Sequence, residues 1–332
     1  MKVGKLPAGV LNDLLAKVKL DDRVIVGPKI GVDAAVIDYG DTLLVAKTDP
    51  ITFATDQIGW YAVNINANDI AVMGADPKWF LATILVAPDT TEEEVERVFD
   101  QALAACKSLG VTLIGGHTEI TYGLDRTIVI GCMLGETTRD RLVTAGGAKP
   151  GDVVILTKGI AIEGSAVLAR EQEARLLAAG VRQDEVERAR DYLTNPGISV
   201  VADASAVISV AKPTAMHDPT EGGLATGLRE LAVASNVGLV IEEKDISVLP
   251  ETRAICDRLE LDPLGLIASG SLLLTVAAKD EEKAISAMKA AGIAAAVIGR
   301  VTPAEEGVKL IGSEGERDIP VFERDEIARL FD

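Results

Sequence analysis

The sequence predicts a mixed α/β protein made of two domains, each combining a β-sheet with helices. Its 332 residues are about twice the length of a typical single domain. Short segments rich in Val, Ile and Leu occur among segments of helical periodicity. A stretch rich in Gly and Ala, residues 145–152, interrupts this pattern near the middle of the chain. We therefore expect an N-terminal domain at residues 1–148 and a C-terminal domain at residues 149–332.

The N-terminal half carries helix and strand signals that do not strictly alternate. Its best-marked helix follows Thr91 and Glu94, which form a capping-box pattern, and stops before Gly110. A second helix ends at Gly74. The predicted helices are 5–19, 57–73 and 92–109, and the predicted strands are 23–27, 33–38, 42–48, 79–87, 111–115 and 127–135.

The C-terminal half reads as a second α/β unit. Asn195, Pro196 and Gly197 stop a polar helix, because Pro and Gly disrupt helical backbone. Thr220 is a plausible N-cap for a later helix. The predicted strands are 153–157, 213–216, 238–242, 271–277 and 296–301, and the predicted helices are 165–179, 183–193, 197–210, 221–235 and 281–291.

The charge of the chain argues against nucleic acid and anionic membranes as partners. The formal net charge is −18, so the basic surface that these partners require is missing. An acidic protein can still bind phosphates that metal ions bridge. No signal-peptide core and no apolar run of about 18 residues is present, so we expect no membrane span. Three scattered cysteines without a CxxC spacing favour reduced thiols and a cytoplasmic location.

Polar residues stand out in two parts of the N-terminal half. Asp33, two residues after Gly31, is explained equally well by a turn or by chemistry, and Asp49, before Pro50, matches a common turn signal. The predicted helix 57–73 is otherwise apolar, yet it contains three Asn residues and Asp69. Because a buried polar group is costly unless paired, these side chains either satisfy neighbouring loops or bind a hard cation and its phosphates.

Two Gly-rich segments hold the only histidines of the chain. Gly115-Gly116-His117-Thr118-Glu119 follows a predicted strand, and His217-Asp218-Pro219-Thr220-Glu221-Gly222-Gly223 precedes a predicted helix. Such loops let backbone N–H groups approach an anion, although a tight turn is the plainer explanation of the first segment. The chain contains no Walker A, dinucleotide-binding or GxSxG motif.

Five motifs in order resemble a known superfamily: GVDAAV (31–36), KTDPIT (47–52), NANDIAVMGADP (66–77), GGHTE (115–119) and HDPTEGGLA (217–225). The chain is similar to aminoimidazole ribonucleotide (AIR) synthetase, selenophosphate synthetase, thiamine monophosphate kinase and the hydrogenase maturation protein HypE. The resemblance spans nearly the whole chain. The last motif, with Leu261-Asp262-Pro263-Leu264, is most similar to HypE.

The resemblance implies a two-domain PurM-like fold, classed as α+β or α/β. The N-terminal sheet would pair with that of a second subunit to form a barrel in a homodimer. The C-terminal half would be a second α/β domain, and ATP would bind in the cleft between the domains, near the dimer interface.

The resemblance also implies roles for individual residues. Asp33, Asp49, Asp69 and Asp218 match acidic positions that handle Mg²⁺ and phosphates, with Asp218 also taking part in catalysis. His117 or Glu119 would act as a general base. Contacts to ATP are expected from Lys47, Asn68, Gly115, Gly116 and Thr118.

Departures from the HypE pattern limit what can be transferred. HypE proteins end in a Pro-Arg-x-Cys tail whose thiol carries the carbamoyl group, whereas this chain ends in Ala328-Arg329-Leu330-Phe331-Asp332. Glu221 replaces an Arg, and Ser269-Gly270-Ser271 replaces Glu-Gly-Lys. No Cys precedes Cys106, which argues against selenophosphate synthesis.

We therefore expect an ATP-dependent, Mg²⁺-requiring enzyme that activates an oxygen of a small or protein-bound substrate by phosphoryl transfer. Two alternatives stay open. One is a small-molecule kinase like thiamine monophosphate kinase. The other is a non-catalytic ATP-binding partner in a maturation complex, in which another chain supplies the thiol.

Overall fold

The computed structural model describes residue 6 and residues 8–29 and 31–330. The N-terminal part forms a six-stranded sheet in the order β1-β2-β3-β6-β4-β5, with all neighbours antiparallel except the parallel pair β4–β5. Its elements are α1 (Ala8–Leu15), β1 (Val24–Val26), β2 (Ala35–Asp38), β3 (Leu43–Ile51), α2 (Ile58–Val72), β4 (Asp76–Val86), α3 (Glu92–Leu109), β5 (Thr112–Ile120) and β6 (Ile128–Thr137).

Helix α2 lies at the centre of the molecule and is buried on nearly every side. It packs on the sheet at two glycines of β6. A Cβ atom at Gly131 would lie 2.3 Å from the Asn66 amide nitrogen, and one at Gly135 would lie 2.3 Å from Ile70. Glycine is therefore required for this close approach. The central position explains why α2 has no polar face and why its Asn and Asp side chains are buried.

The opposite face of the sheet is apolar but only half-buried. Strand β6, and β4 from Trp79 onward, alternate between buried residues, which face α2, and residues of intermediate exposure. These half-buried residues include Trp79, Leu81, Leu85, Ile128, Ile130 and Leu134. The edge strand β5 is almost fully exposed.

The C-terminal part is a seven-stranded sheet in the order β13-β12-β9-β11-β7-β10-β8. Helix α8 packs on one face, and α7 and α10 pack on the other. Its elements are β7 (Asp152–Thr157), α4 (Ile162–Glu171), α5 (Glu173–Ala178), α6 (Gln183–Asp191), α7 (Val201–Ile208), β8 (Ala215–His217), α8 (Gly223–Ser235), β9 (Gly238–Glu242), α9 (Pro250–Leu259), β10 (Leu273–Ala277), α10 (Glu281–Ala290), β11 (Ala295–Thr302), β12 (Val308–Gly312) and β13 (Gly315–Asp318).

The helices α4, α5, α6 and α9 extend the core of the N-terminal part, while α7 and β8 contact α2. The apolar residues of these four helices share a continuous core with α2 and the N-terminal sheet. The expected mixed α/β fold with a sheet in each half is confirmed. The domain division at residues 148/149 lies between β6 and β7 and stays a prediction.

Several predicted elements differ in the structure. Helix 165–179 is two helices, α4 and α5, and helix 197–210 begins only at Val201, after a π-helical turn at Leu193–Gly197. Helix 221–235 begins at Gly223, so Thr220 is not its N-cap. Helix α9 and strands β12 and β13 were not predicted from the sequence. Part of the predicted helix 5–19, residues 5 and 7, lies outside the described residues.

The segment Gly115–Glu119 is also not a loop, because it continues β5 to Ile120. Glycine at 116 serves the strand pairing, since a Cβ atom there would lie 1.9 Å from the Ala82 carbonyl oxygen. No helix in the described parts of the chain is long and apolar enough to cross a bilayer.

Candidate functional site

Four aspartates from both domains meet at the domain junction; we call them the acidic cluster. Asp33 precedes β2, Asp49 lies on β3, Asp69 lies on α2, and Asp218 follows β8. Ligand atoms of Asp33, Asp218 and the adjacent His217 all lie within 4.8 Å of one another. Lys47 links the other two, with its Nζ 3.0 Å from Asp69 and 3.3 Å from Asp49. The structure thus brings together four residues that lie far apart in sequence.

The carboxylates of the acidic cluster are poorly satisfied. Among the described residues, no hydrogen-bond partner exists for Oδ2 of Asp33, Oδ2 of Asp69 or either oxygen of Asp218. Burial raises the pKa of Asp69 well above its ordinary value, although Lys47 opposes the rise. Burial, with the nearby Asp33 charge, raises the pKa of Asp218 to about 8. Buried carboxylate oxygens without partners are the ligands that Mg²⁺ prefers, so the donor set fits a divalent cation.

Lys47 is a partly buried cation at one side of this cluster. Burial opposes its charge, but the carboxylates of Asp69, Asp49 and Asp33 raise its pKa above the ordinary value. The ammonium group is therefore permanently charged at neutral pH. Successive side chains of β3 point to opposite faces of the sheet, and those of the odd-numbered residues from 43 to 51 face α2. This explains why Lys47 and Asp49 point at Asp69 rather than away from it.

His217 is a second cation, which is buried at the other side. Its Nδ1 lies 2.8 Å from Asp33 and its Nε2 lies 3.0 Å from Glu230 on α8. Burial opposes protonation, but Asp33 and Glu230 offset it and hold the pKa of His217 well above its ordinary value. With both ring nitrogens donating to carboxylates, His217 has no lone pair for a metal ion. It ties Asp33 of the N-terminal domain to the C-terminal domain.

The buried amides of α2 hold backbone segments in place. Asn66 accepts a hydrogen bond from the Asp49 backbone nitrogen at 2.9 Å, which fixes the end of β3. Asn68 donates to the Ile198 carbonyl and accepts from the Val200 nitrogen, both at 2.8 Å. Asn68, expected to touch a phosphate, therefore has both amide atoms engaged by the C-terminal domain.

The predicted base residues lie elsewhere within one chain. The strand register aligns Asp49 with Gly131, Ala82 and then Gly116 across the sheet. Three interstrand spacings separate the ends of this row, roughly 14 Å. Next to Gly116 on the edge strand, His117 Nε2 lies 3.2 Å from Glu119, and both side chains are more than half exposed. Thus the residues Gly115 to Glu119 do not reach the acidic cluster of their own chain.

A pocket of about 250 Å³ opens beside Asp49 between the two domains; we call it the cleft pocket. Residues 50–54 and Ile65 form its N-terminal wall, and Ile267 contributes to the opposite wall. Its polar lining residues are Asp49, Thr52, Glu163, Thr220, Glu221 and Ser269. Glu163 was not singled out in the sequence, where only its place within the Gly-containing turn 158–164 could have pointed to it.

The loop from Asp218 to Gly223 is shaped by two glycines and by the C-terminal segment. Gly222 and Gly223 both have positive φ, at 88° and 65°, which explains why this motif carries a Gly pair. The Asp325 carboxylate accepts backbone hydrogen bonds from Gly222 at 2.6 Å and from Ile267 at 3.2 Å. The C-terminal segment therefore holds two stretches of the pocket lining in place, one beside Glu221 and one at Ile267. This role has no sequence signal.

Sequence comparison finds relatives of this architecture. The models of the AIR synthase related protein N-terminal and C-terminal domains match residues 31–137 and 149–311. A hydrogenase expression/formation protein of Methanocaldococcus jannaschii is 28% identical over 329 residues, covering 94% of each chain. Carbamoyl dehydratase HypE of Rhizobium leguminosarum is 30% identical over 282 residues, covering 82% of this chain and 77% of that protein.

Two solved structures share the fold over nearly the whole chain. AaThiL complexed with AMPPCP and TMP matches with a TM-score of 0.74 at 21% identity, covering 95% of each chain. HypE in complex with ATP matches with a TM-score of 0.70 at 23% identity, covering 97% of this chain and 91% of the other. Both the PurM-like fold and the superfamily resemblance inferred from the motifs are thereby confirmed, and the chain belongs to the AIR synthase related protein family.

Proposed function

We propose that this protein binds ATP with Mg²⁺ between its two domains and transfers the γ-phosphoryl group to an oxygen of a small or protein-bound acceptor. The observation that carries this proposal is the acidic cluster, in which four buried carboxylate oxygens, from Asp33, Asp69 and Asp218, lack partners among the described residues. The cleft pocket beside Asp49 supplies room for the acceptor. The named relatives HypE, a carbamoyl dehydratase, and AaThiL, complexed with AMPPCP and TMP, support the use of a nucleotide.

The acidic cluster and the residues around it have different parts in this reaction. Asp33, Asp49, Asp69 and Asp218 would hold Mg²⁺, which neutralises charge on the phosphates when bound. Lys47 offers a fixed positive charge to the phosphates. His217 fixes the orientation of the Asp33 carboxylate through a hydrogen bond. Asn68 keeps the Ile198–Val200 backbone against α2, so its expected contact with a phosphate becomes an indirect effect on the site.

The first experiment measures ATP binding by titration calorimetry with and without Mg²⁺. We expect micromolar affinity that requires Mg²⁺ and that weakens at least about tenfold in Asp69→Asn, since one metal ligand is lost. Asp41→Asn, in the exposed turn before β3, is the matched control and should bind like wild type. Equal binding with and without Mg²⁺, or unchanged binding by Asp69→Asn, would refute the metal site.

A small-molecule kinase is the second candidate, favoured by the likeness to the ThiL structure with TMP. The products separate the two possibilities. A kinase releases a stable phosphorylated metabolite, whereas a HypE-like enzyme releases a dehydrated product with inorganic phosphate. ATP binding without consumption, together with tight binding to another protein, would instead support the non-catalytic maturation partner.

A homodimer formed through the N-terminal sheet is part of this proposal. Edge strand β5 presents Ile114 and Ile120 to solvent at 51% and 68% exposure, and the adjacent Tyr122 is 92% exposed. The half-buried apolar face of β4 and β6 would also be stabilised by packing against another surface. In such a dimer, His117 and Glu119 of one subunit would act at the acidic cluster of the other.

Analytical ultracentrifugation tests the dimer. We expect wild type to sediment as a dimer and Ile120→Arg as a monomer, with the affinity between subunits reduced at least about 100-fold, because a charge would be buried in the interface. Val321→Arg is the matched control, since Val321 is 72% exposed in the C-terminal segment. A dimeric Ile120→Arg variant would place the interface elsewhere.

A further inference from the structure

Glu163 is a buried acid that the chemistry proposed above does not use. It lies in the first turn of α4 and is only 6% exposed. Its Oε2 has no hydrogen-bond partner within the described part of the chain, and the same is true of the Ser269 hydroxyl. The Glu163 backbone nitrogen donates to the Ser269 carbonyl at 3.2 Å, so the two residues are neighbours. Both side chains line the cleft pocket.

The backbone around Glu163 is strained and tightly packed. Ala161, two residues earlier, has a φ of 56°, which costs a residue other than Gly about 1 kcal/mol. At Gly164 a Cβ atom would lie 2.5 Å from Leu266, so the first turn of α4 is pressed against the segment that leads to Ser269. Strain of this kind persists where the surroundings enforce it, and it concentrates at functional sites.

The charge state of Glu163 is consistent with proton transfer. Burial raises its pKa to about 7, and the charges of Asp325 and Glu221 add to the rise. Tyr61 of α2 also faces this carboxyl, and its own pKa is raised, first by burial and then by the Glu163 charge. At neutral pH, a carboxyl group with a pKa near 7 is present in both protonation states, as an acid–base catalyst requires.

The geometry points to Glu163 as the general base for the acceptor, which we infer to be an uncharged hydroxyl or amide held by Glu163 and Ser269. This inference rests on the proposed function. The pocket volume of about 250 Å³ is smaller than a typical whole-ligand site, so it suits the reacting end of the acceptor. Three acidic residues, Asp49, Glu163 and Glu221, line the pocket and disfavour a carboxylate acceptor.

The proposed step balances in atoms and charge. The acceptor oxygen attacks the γ-phosphorus of ATP, and a new O–P bond forms. The bond between the γ-phosphorus and its bridging oxygen breaks, and ADP leaves with the electron pair. The proton of the acceptor passes to the Glu163 carboxylate. Asp218 and the other cluster residues keep their metal-binding role throughout.

The test compares wild type with Glu163→Gln and Glu163→Asp. Water, hydroxylamine and acetamide serve as acceptor probes, and ADP release is followed from pH 5 to 9. We expect wild-type rates to rise through about pH 7, and we expect Glu163→Gln to lose about 100-fold in rate together with that pH dependence. Glu163→Asp should retain part of the rate, and MgATP affinity should change less than about threefold in both variants. Glu171→Gln is the matched control on α4, since Glu171 accepts hydrogen bonds from Thr55 and Asp56 outside the pocket.

A second measurement separates a base from a structural acid. Because the folded pKa lies above the ordinary value of 4.5, folded-state stability is lost as pH rises from 4.5 through 7. Glu163→Gln should therefore raise the Tm by about 3–6 °C at pH 8.5 and by much less at pH 5. A lower Tm of Glu163→Gln at both pH values would mark Glu163 as structural and overturn the inference.

The outcomes also separate this inference from the proposed function. If wild type binds no MgATP, both fail. If it binds MgATP but consumes none with any of the three probes, or if Glu163→Gln keeps the wild-type rate and pH profile, the inference about Glu163 fails alone.

Discussion

Replacing Asp218 with Asn is expected to lower ATP turnover about a thousand-fold while making the metal-free protein more stable. Asp218 is 1% exposed, and neither of its carboxylate oxygens has a partner within the described residues. Burial and the Asp33 charge raise its pKa to about 8. Such a carboxylate lowers folded-state stability unless a cation binds it, so its presence is explained by function. Asn keeps the shape but supplies a weak, neutral ligand.

The sign of the stability effect follows from the pKa. The folded pKa of Asp218 lies above its ordinary value of 3.8, so metal-free stability falls as pH rises from 3.8 to about 8. Asp218→Asn should therefore raise the Tm at pH 8.5 by about 5 °C, with a smaller rise at pH 5. Added Mg²⁺ should raise the Tm of wild type more than that of the variant.

Calorimetry and an ADP-release assay on the same preparations check this result, with Asp41→Asn again as the control. Normal turnover by Asp218→Asn would remove Asp218 from the site. A lower Tm at pH 8.5 would show that its carboxylate is stabilised by contacts within the protein rather than kept for a ligand.

The acidic cluster illustrates what the sequence could establish. Asp33 and Asp49 alone were compatible with turns and Asp69 with a structural role in a helix, and only the ordered motifs implied a shared site. His217 and Asp33 are 184 positions apart, and their contact depends on the packing of two domains. Local propensity carries no information about such a distance. The resemblance therefore predicted the grouping, and the structure added the bridging histidine and the unpaired oxygens.

The Gly115-Gly116 pair shows how a sound local rule misleads. Paired glycines favour loops, yet here they lie in a strand because the backbone of β4 passes close to Gly116. The tertiary contact outweighs the weak strand propensity of Gly. The sequence did contain signals for α9, β12 and β13, which were not predicted. Pro250 occupies the first turn of α9, and Gly312 and Gly315 flank the turn between β12 and β13.

Glu163 and Asp325 could not be recognised from sequence, for a physical reason. An isolated acid on a helix or near a chain end is normally solvated, and sequence alone gives no measure of burial. Their importance arises because Ile267 and Ser269, on a segment distant in sequence, cover them. Desolvation, which raises the pKa of both carboxyl groups to about 7, is a property of the assembled fold.

Asn68→Ala is expected to lower the free energy of unfolding by about 3–5 kcal/mol. The side chain is fully buried, and its amide satisfies the Ile198 carbonyl and the Val200 nitrogen across the domain junction. Truncation leaves two buried backbone groups unpaired and opens a cavity between α2 and the turn before α7. The loss should appear in urea unfolding followed by circular dichroism.

Asn64→Ala on the same helix is the matched control. Asn64 is also buried, but the hydrogen bond that its amide nitrogen donates stays within α2, to the Trp60 carbonyl, so we expect a loss of about 1 kcal/mol. The comparison decides between two roles for Asn68. If it contacts a phosphate, Asn68→Ala should weaken MgATP binding while unfolding like the control. If it joins the domains, stability should fall first, and MgATP affinity measured on the folded fraction should change little. The two 2.8 Å hydrogen bonds favour the second outcome, because the Asn68 amide is fully buried and pairs across the domain junction through both its oxygen and its nitrogen.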